Sequence, residues 1–352
     1  MTRTAGAWCA LAAATIVAGV GLDALGIPSA PLFAALLVGL ATALAWPGAP
    51  AMPAAVAGAA QAVLGVALGT YLHASSLHAV AGAWLPVALV SAATLGLCVA
   101  AGAVLARTTE MDGPTAALGM VAGGASGIVA MAGDLGGDDR LVAFMQYARV
   151  LVVVLATPVL AGLLFPGGQG TAAAPDGGPL LGDLGGWGLT LGCAVAGVAL
   201  AAAVRLPAGR LLGPMILAGA LTLSGVIGDA TVPPLVRDAS FVVIGLQVGL
   251  RFTTATVRQV GRLLGPVLLC IVALMVACFV LAVLLELTTD VSLEDAYLAT
   301  TPGGLYAVLA VAFGAGADTT FILAVQGLRL LVMVLLAPLV VRWMLRRPAH
   351  AA

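Results

Sequence analysis

One stretch of this chain occurs twice. Gly123, Gly124, Asp138, Gln146, Arg149 and Pro158 recur, at a constant spacing of 180 residues, as Gly303, Gly304, Asp318, Gln326, Arg329 and Pro338. In the later copy Pro302 precedes the glycine pair, and in both copies the aspartate opens a long apolar run that contains the glutamine and the arginine. Earlier segments repeat as well. Pro53, Gly65, Gly69 and Pro86 match Pro233, Gly245, Gly249 and Pro266, while Trp8 and Pro28 match Trp187 and Pro207 one residue out of step, which a single insertion explains. A duplication over the whole length means that one structural unit is built twice, with two equivalent candidate sites.

The medium follows from composition. Hydrophobic residues make up 62% and charged residues 8%, with a mean hydropathy of +1.16, which places the chain in lipid and leaves no sizeable soluble domain. Apolar runs of about 20 residues, each long enough to cross a hydrocarbon core of about 30 Å, recur throughout. The expected fold is therefore an all-α polytopic membrane protein, with a first membrane repeat over 1–165, a flexible Gly-, Pro- and Ala-rich linker over 166–186 and a second repeat over 187–352. Residues 1–23 carry Arg3 before an apolar run and could be a leader; the match of Trp8 to Trp187 favours a first helix. The five cysteines are scattered singly without CxxC spacing and read as buried, unpaired thiols.

The fifth segment of each repeat departs from the pattern. Residues 113–133 carry Gly119, Gly123, Gly124 and Gly127, and 292–313 carry Pro302, Gly303 and Gly304 at the matching place. Glycine costs a helix interior about 1 kcal/mol relative to alanine and proline about 3 kcal/mol. Such residues at mid-segment predict a broken helix or a re-entrant hairpin; the alternative is an ordinary helix using small residues for close packing. Irregular backbone at membrane depth survives only where protein buries it or water reaches it, so it tends to line a binding site.

Arginine placement bears on topology, because basic residues collect in cytoplasmic loops. All 14 basic residues are arginine. If the broken segments enter and leave on one side and the amino terminus is cytoplasmic, Arg3, Arg107, Arg140, Arg205, Arg210, Arg251, Arg258, Arg262, Arg342, Arg346 and Arg347 all fall inside, with Arg237 as the clear exception. If every segment crosses, the Arg205–Arg262 cluster lands outside. The first arrangement puts both termini in the cytoplasm and leaves five full crossings per repeat, so the repeats would be inverted, as in secondary transporters.

Arg149 lies ten residues past Asp139, roughly 15 Å into the helix and near mid-bilayer; Arg329 has the same place. An arginine there costs at least about 2.5–3.5 kcal/mol to insert and needs a partner or water. Gln146 and Gln326 precede the arginines by one helical turn on the same face. The candidate substrate-binding set is Gly123, Gly124, Ser126, Gln146, Arg149, Pro302, Gly303, Gly304, Gln326 and Arg329, with Asp138 and Asp318 as helix caps or coupling groups. A structural buried pair remains the plain alternative for the arginines. Guanidiniums together with the positive amino ends of broken helices would suit a carboxylate or another small anion. No catalytic residue, metal site or cofactor is expected, since the histidines are only His73, His78 and His350, none deep in a span, and no phosphate-binding loop is present.

Two tracts, GGASGIVAMAGDLGGDDRLVAFMQYARVLVVVLATP and TPGGLYAVLAVAFGAGADTTFILAVQGLRLLVMVLLAP, together with LPAGRLLGPMILAGAL, resemble the paired signature of the membrane AbrB family, also labelled AbrB duplication or ammonia monooxygenase family. The resemblance implies a bacterial inner-membrane protein of duplicated halves, described as a regulator of gene expression and by other accounts as a transporter. Ala122 stands where the family pattern, like Pro302, tends to have proline. The expected function is a secondary transporter of a small solute, an anion among the candidates; the alternative is a membrane-embedded regulator of gene expression acting through a protein partner. The expected partners are the bilayer and the solute, with a homodimer open and no nucleic acid.

Overall fold

The computed structural model describes residues 2–24, 30–46, 48–72, 81–122, 128–129, 132–165, 180–206, 209–226, 230–252, 254–303, 308–309, 311–312 and 317–346. Among these the regular structure is helical. The helices are α1 (Thr2–Ala24), α2 (Ala30–Ala45), α3 (Ala54–Thr70), α4 (Trp84–Thr108), α5 (Gly113–Met120), α6 (Asp139–Leu164), α7 (Leu184–Ala203), α8 (Gly209–Leu223), α9 (Pro234–Gly249), α10 (Thr254–Thr288), α11 (Leu293–Thr300) and α12 (Thr319–Arg346), with a 3-10 turn at Gly133–Leu135. Five described segments, Gly6–Ala24, Trp84–Thr108, Asp139–Leu164, Leu184–Ala203 and Val260–Thr288, are long and apolar enough to cross a membrane. Helices suit such a sequence because they satisfy every backbone donor and acceptor internally. Hydroxyls inside them donate to their own helix four residues back, as in Ser91 to Val87 O, Thr94 to Val90 O, Thr190 to Gly186 O and Ser240 to Val236 O.

The sequence expectation of a linker running to residue 186 is corrected at its end. Asp183 accepts from the Gly186 N–H at 2.9 Å and caps α7, so the helix starts at Leu184. Residues 166–179 lie outside the described residues, as do His73, His78 and His350. All five cysteines are free; Cys98, Cys193 and Cys278 are buried, whereas Cys9, expected to be buried, is exposed because it falls on the outward side of α1.

The chain packs into two compact units, each drawing on both repeats. The first takes residues 1–78, 154–255 and 305–320, and the second 79–153, 256–304 and 321–352. In the first unit α2 packs on α9 and α3 on α8. These are equivalent pairs, since α8 and α9 repeat α2 and α3. The glycines make the equivalence exact in kind: a Cβ on Gly245 would strike Leu32 O, and a Cβ on Gly65 would strike Leu211 O, its repeat counterpart. Gly249 against Leu36 O and Gly69 against Met215 O follow the same rule one turn further. Each contact is thus made twice with the partners exchanged, as in an isologous interface, and small residues let the backbones approach where apolar burial drives little. Leu11 of α1 joins Ala35, Leu246 and Leu250 in one core cluster; Leu189 and Cys193 of α7 join Val66, Ala67 and Ala218 in its counterpart.

In the second unit α4 turns sharply into α5. Thr109, in extended conformation, ends α4, and its hydroxyl donates to Leu105 O at 2.6 Å. Thr289 does the same to Leu285 O at the end of α10.

Replacing Gly65 by valine places side-chain atoms in the Leu211 carbonyl and should lower stability by about 1–3 kcal/mol or more. Gly96→Ala, at a glycine with open space around it, should be neutral or slightly stabilising. Thermal unfolding of the two variants in detergent checks the contrast, which fails if Gly65→Val melts with the wild type.

Candidate functional site

The broken segments begin with caps. Asp112 Oδ1 accepts from Thr115 N–H at 2.7 Å, and its Oδ2 accepts from the Thr115 hydroxyl at 2.7 Å, which starts α5. At the equivalent place in α11 the acid and the hydroxyl are exchanged. Ser292 Oγ accepts from Asp295 N–H at 3.1 Å and donates to Asp295 Oδ2 at 2.6 Å. Either order satisfies one orphan amide of the first turn.

Both helices then stop after eight residues, at Met120 and Thr300, where Val121 and Thr301 turn extended with ψ of 121° and 126°. Eight residues span roughly 12 Å, less than half of a bilayer core. The predicted break is therefore present in both repeats. Pro302 and Gly303 are buried directly after the second stop. The volume of a Gly303 Cβ is already taken by the branched side chain of Val153. Gly123, Gly124, Ser126 and Gly304 lie outside the described residues.

A helix that ends inside the protein leaves carbonyls without amide partners, and the glutamine–arginine pairs meet them. Gln146 Nε2 donates to Leu118 O at 2.7 Å and Val121 O at 2.9 Å. Arg149 Nη1 donates to Met120 O at 3.1 Å, and its Nη2 donates to Gln146 Oε1 at 2.9 Å. The second repeat uses the same atoms. Gln326 Nε2 reaches Leu298 O at 2.8 Å and Thr301 O at 3.4 Å. Arg329 Nη1 reaches Thr300 O at 3.1 Å and Thr301 O at 2.7 Å, and its Nη2 donates to Gln326 Oε1. The guanidinium fixes the amide orientation, because Oε1 must accept and Nε2 is left to donate. Gly119 brings α5 down on Met145 of α6, where a Cβ would not fit.

Sequence reasoning placed each glutamine and arginine on one helical face but expected the arginines to work with positive amino ends of broken helices. The described ends at the guanidiniums are carbonyl ends instead, which are negative and attract a cation. Continuations of the broken segments past 122 and 303 are described only at isolated positions.

Gln146, Arg149, Gln326 and Arg329 are all buried, and among the described residues the two guanidinium Nε atoms have no hydrogen-bond partner. Among the described residues no carboxylate pairs with either arginine; the ion pair present is between the neighbours Arg237 and Asp238, at 3.1 Å. Two residues that sequence reasoning passed over belong to this site. Cys98 and Cys278, also 180 residues apart, are buried close to Arg149 and Arg329. Ala122, the repeat counterpart of Pro302, carries a backbone N–H. Pro302 has no N–H to offer at the equivalent place, and on that side Thr300 donates to Cys278 O at 3.2 Å. The fixed spacing could have identified the two cysteines.

Asp138 is exposed and caps α6, with Oδ1 accepting from Arg140 N–H at 2.9 Å and Leu141 N–H at 3.1 Å. Its own N–H donates to the Thr115 hydroxyl at 2.8 Å, which ties the start of α6 to the start of α5. Gly136, with φ of +78°, makes the turn leading into this cap. Asp318 is partly buried just ahead of α12.

This duplicated arrangement runs through a stretch that a family profile also covers: the one described as transition state regulatory protein AbrB matches residues 32–345. The chain belongs to the AbrB family. It is 34% identical over 344 residues to "Putative regulator AbrB" of Escherichia coli (strain K12), covering 96% of each chain. It is 30% identical over 295 residues to "Uncharacterized protein YhjN" of Bacillus subtilis (strain 168), covering 79% of this chain and 76% of that one.

Gln146→Leu strips the Leu118 and Val121 carbonyls and one guanidinium nitrogen of their partner at once. A buried polar group left unpaired costs about 1–3 kcal/mol, so the variant should melt well below the wild type in detergent, as should Gln326→Leu. Unchanged melting of both would show that the pairs do not hold the half-helices.

Proposed function

We propose that this AbrB-family chain is a secondary transporter of a small anionic solute, lying in the bacterial inner membrane with both termini cytoplasmic and its halves related as inverted repeats. One observation supports it above the others: each repeat ends a half-length helix inside the protein, and a buried arginine with no carboxylate partner among the described residues stands at that end. Broken helices at membrane depth are the usual way a carrier builds its solute site. A buried charge without a counter-charge is costly unless something neutralises it. The solute would supply that charge, and Gln146 and Gln326 would hold the arginines in register. Pro302, Gly303, Gly304, Gly123, Gly124 and Ser126 would shape the backbone around it. Asp138 serves as a helix cap in this scheme, and Asp318 is its counterpart.

The word regulator in the name of the Escherichia coli relative belongs to that protein. A regulator of gene expression working from the membrane would act through a protein partner, and no arrangement among the described residues favours that role over transport.

Purified protein in proteoliposomes should take up one or more labelled small organic acids above empty vesicles. Arg329→Gln that still elutes as a monodisperse peak should lose uptake at least tenfold. Uptake at the wild-type rate by the folded variant would end the anion reading.

A further inference from the structure

Val153 lies one helical turn beyond Arg149 on the same side of α6, so one helix presents the first repeat's cap and, next to it, a branched apolar side chain. Val153 is fully buried, and its head occupies the space in which a Cβ of Gly303 would stand. Gly303 does not have the positive φ that demands glycine, so glycine is needed there for room and not for backbone freedom. The Gly303 N–H donates to Thr301 O at 2.9 Å in the tight turn that follows α11, and the same oxygen accepts from Arg329 Nη1 at 2.7 Å. Contacts therefore run from the first cap along α6 to the second break, and from there to the second cap, all inside the second compact unit. A valine in a helix has essentially one χ1 rotamer, so its head cannot swing aside to let Gly303 pass.

We propose that Val153 and Gly303 interlock the two repeats. The second break can change its path only if α6 shifts, and a shift of α6 withdraws Gln146 and Arg149 from the first half-helix, so that both helix ends hold or release together. Close-packed contacts of this kind have discrete arrangements and do not deform continuously. Loosening either cap then loosens the other, and the effect is reciprocal. The lock does not depend on which solute is carried; in a carrier it makes two half-helix ends change state in one step.

Hydrogen–deuterium exchange of the full-length protein in detergent, with no solute added, reads the two ends directly, because the Val121 N–H bonds Ala117 O at 3.1 Å and the Thr301 N–H bonds Tyr297 O at 3.0 Å. Gln146→Leu, a change in the first repeat, should speed exchange at Thr301 and Gly303 at least fivefold, along with Val121. In a Val153→Ala background the same change should leave Thr301 within twofold. Gly303→Ala should act in the converse direction and speed Val121 at least fivefold, and adding Val153→Gly should bring Val121 back to within twofold of Val153→Gly alone. Effects confined to the mutated repeat, effects that reach α8 and α9 of the first unit equally, or transmission that survives Val153→Ala would each overturn the interlock. Should Gln146→Leu not fold, the Gly303→Ala pair decides. Should Gly303→Ala not fold either, recovery of a monodisperse peak on adding Val153→Gly decides, and no recovery overturns the lock. None of these readouts involves a solute, so loss of the carrier reading would leave the interlock standing.

Discussion

Everything distinctive in this molecule depends on ending a helix where no water is at hand to take its last carbonyls. Lipid and protein interior alike penalise an unpaired backbone acceptor, so a half-length helix can exist there only if side chains replace the missing turn. Gln146 with Arg149, and Gln326 with Arg329, are that replacement, and each pair takes up acceptors from the last turn of its half-helix. The same contact settles two problems together. The carbonyls gain donors, and a guanidinium that would be costly when buried gains a partly negative surrounding. Among the described residues it gains no full counter-charge.

The first unit is built by close approach more than by large side chains. Reciprocal glycine contacts in the first unit lock α2 to α9 and α3 to α8 with carbonyl oxygens in the space of missing Cβ atoms. Two copies of one sequence make such an interface by pairing each element with the other copy's counterpart, and so in this unit elements of both repeats pack against one another. Arg237, the exception in the expected positive-inside distribution, has its neighbour Asp238 as a counter-charge at 3.1 Å.

Much of this was legible before any coordinates. The glycine-bearing segments announced their own breaks, because glycine and proline disfavour a helix whatever the surroundings, and the helices stop at Met120 and Thr300, within a few residues of those positions. The shared face of Gln146 and Arg149 followed from helical spacing, and the capping role of Asp138 from its place ahead of an apolar run. Less visible was what the arginines face. Spacing fixes which residues share a side of one helix but not which end of another helix arrives there, so the carbonyl ends at the guanidiniums were not foreseen. Cys98 and Cys278 escaped because they were examined for metal and disulfide spacing and not for repeat equivalence. The exchange of Asp112 and Thr115 for Ser292 and Asp295 escaped because identities were sought, and the physics of a cap conserves a donor–acceptor pair in either order.

As a member of the AbrB family, the chain joins relatives whose names give no substrate, and its proposed chemistry rests on the duplicated caps. The most direct measurement of the central claim is a double-mutant cycle on Gln326 and Arg329, combining Gln326→Leu with Arg329→Met and reading reversible unfolding in mixed detergent. A pair that acts as one cap should show a coupling energy of about 0.5–3 kcal/mol. Strictly additive losses would mean that the two side chains do not work together, and the account of how the half-helix is held would be wrong.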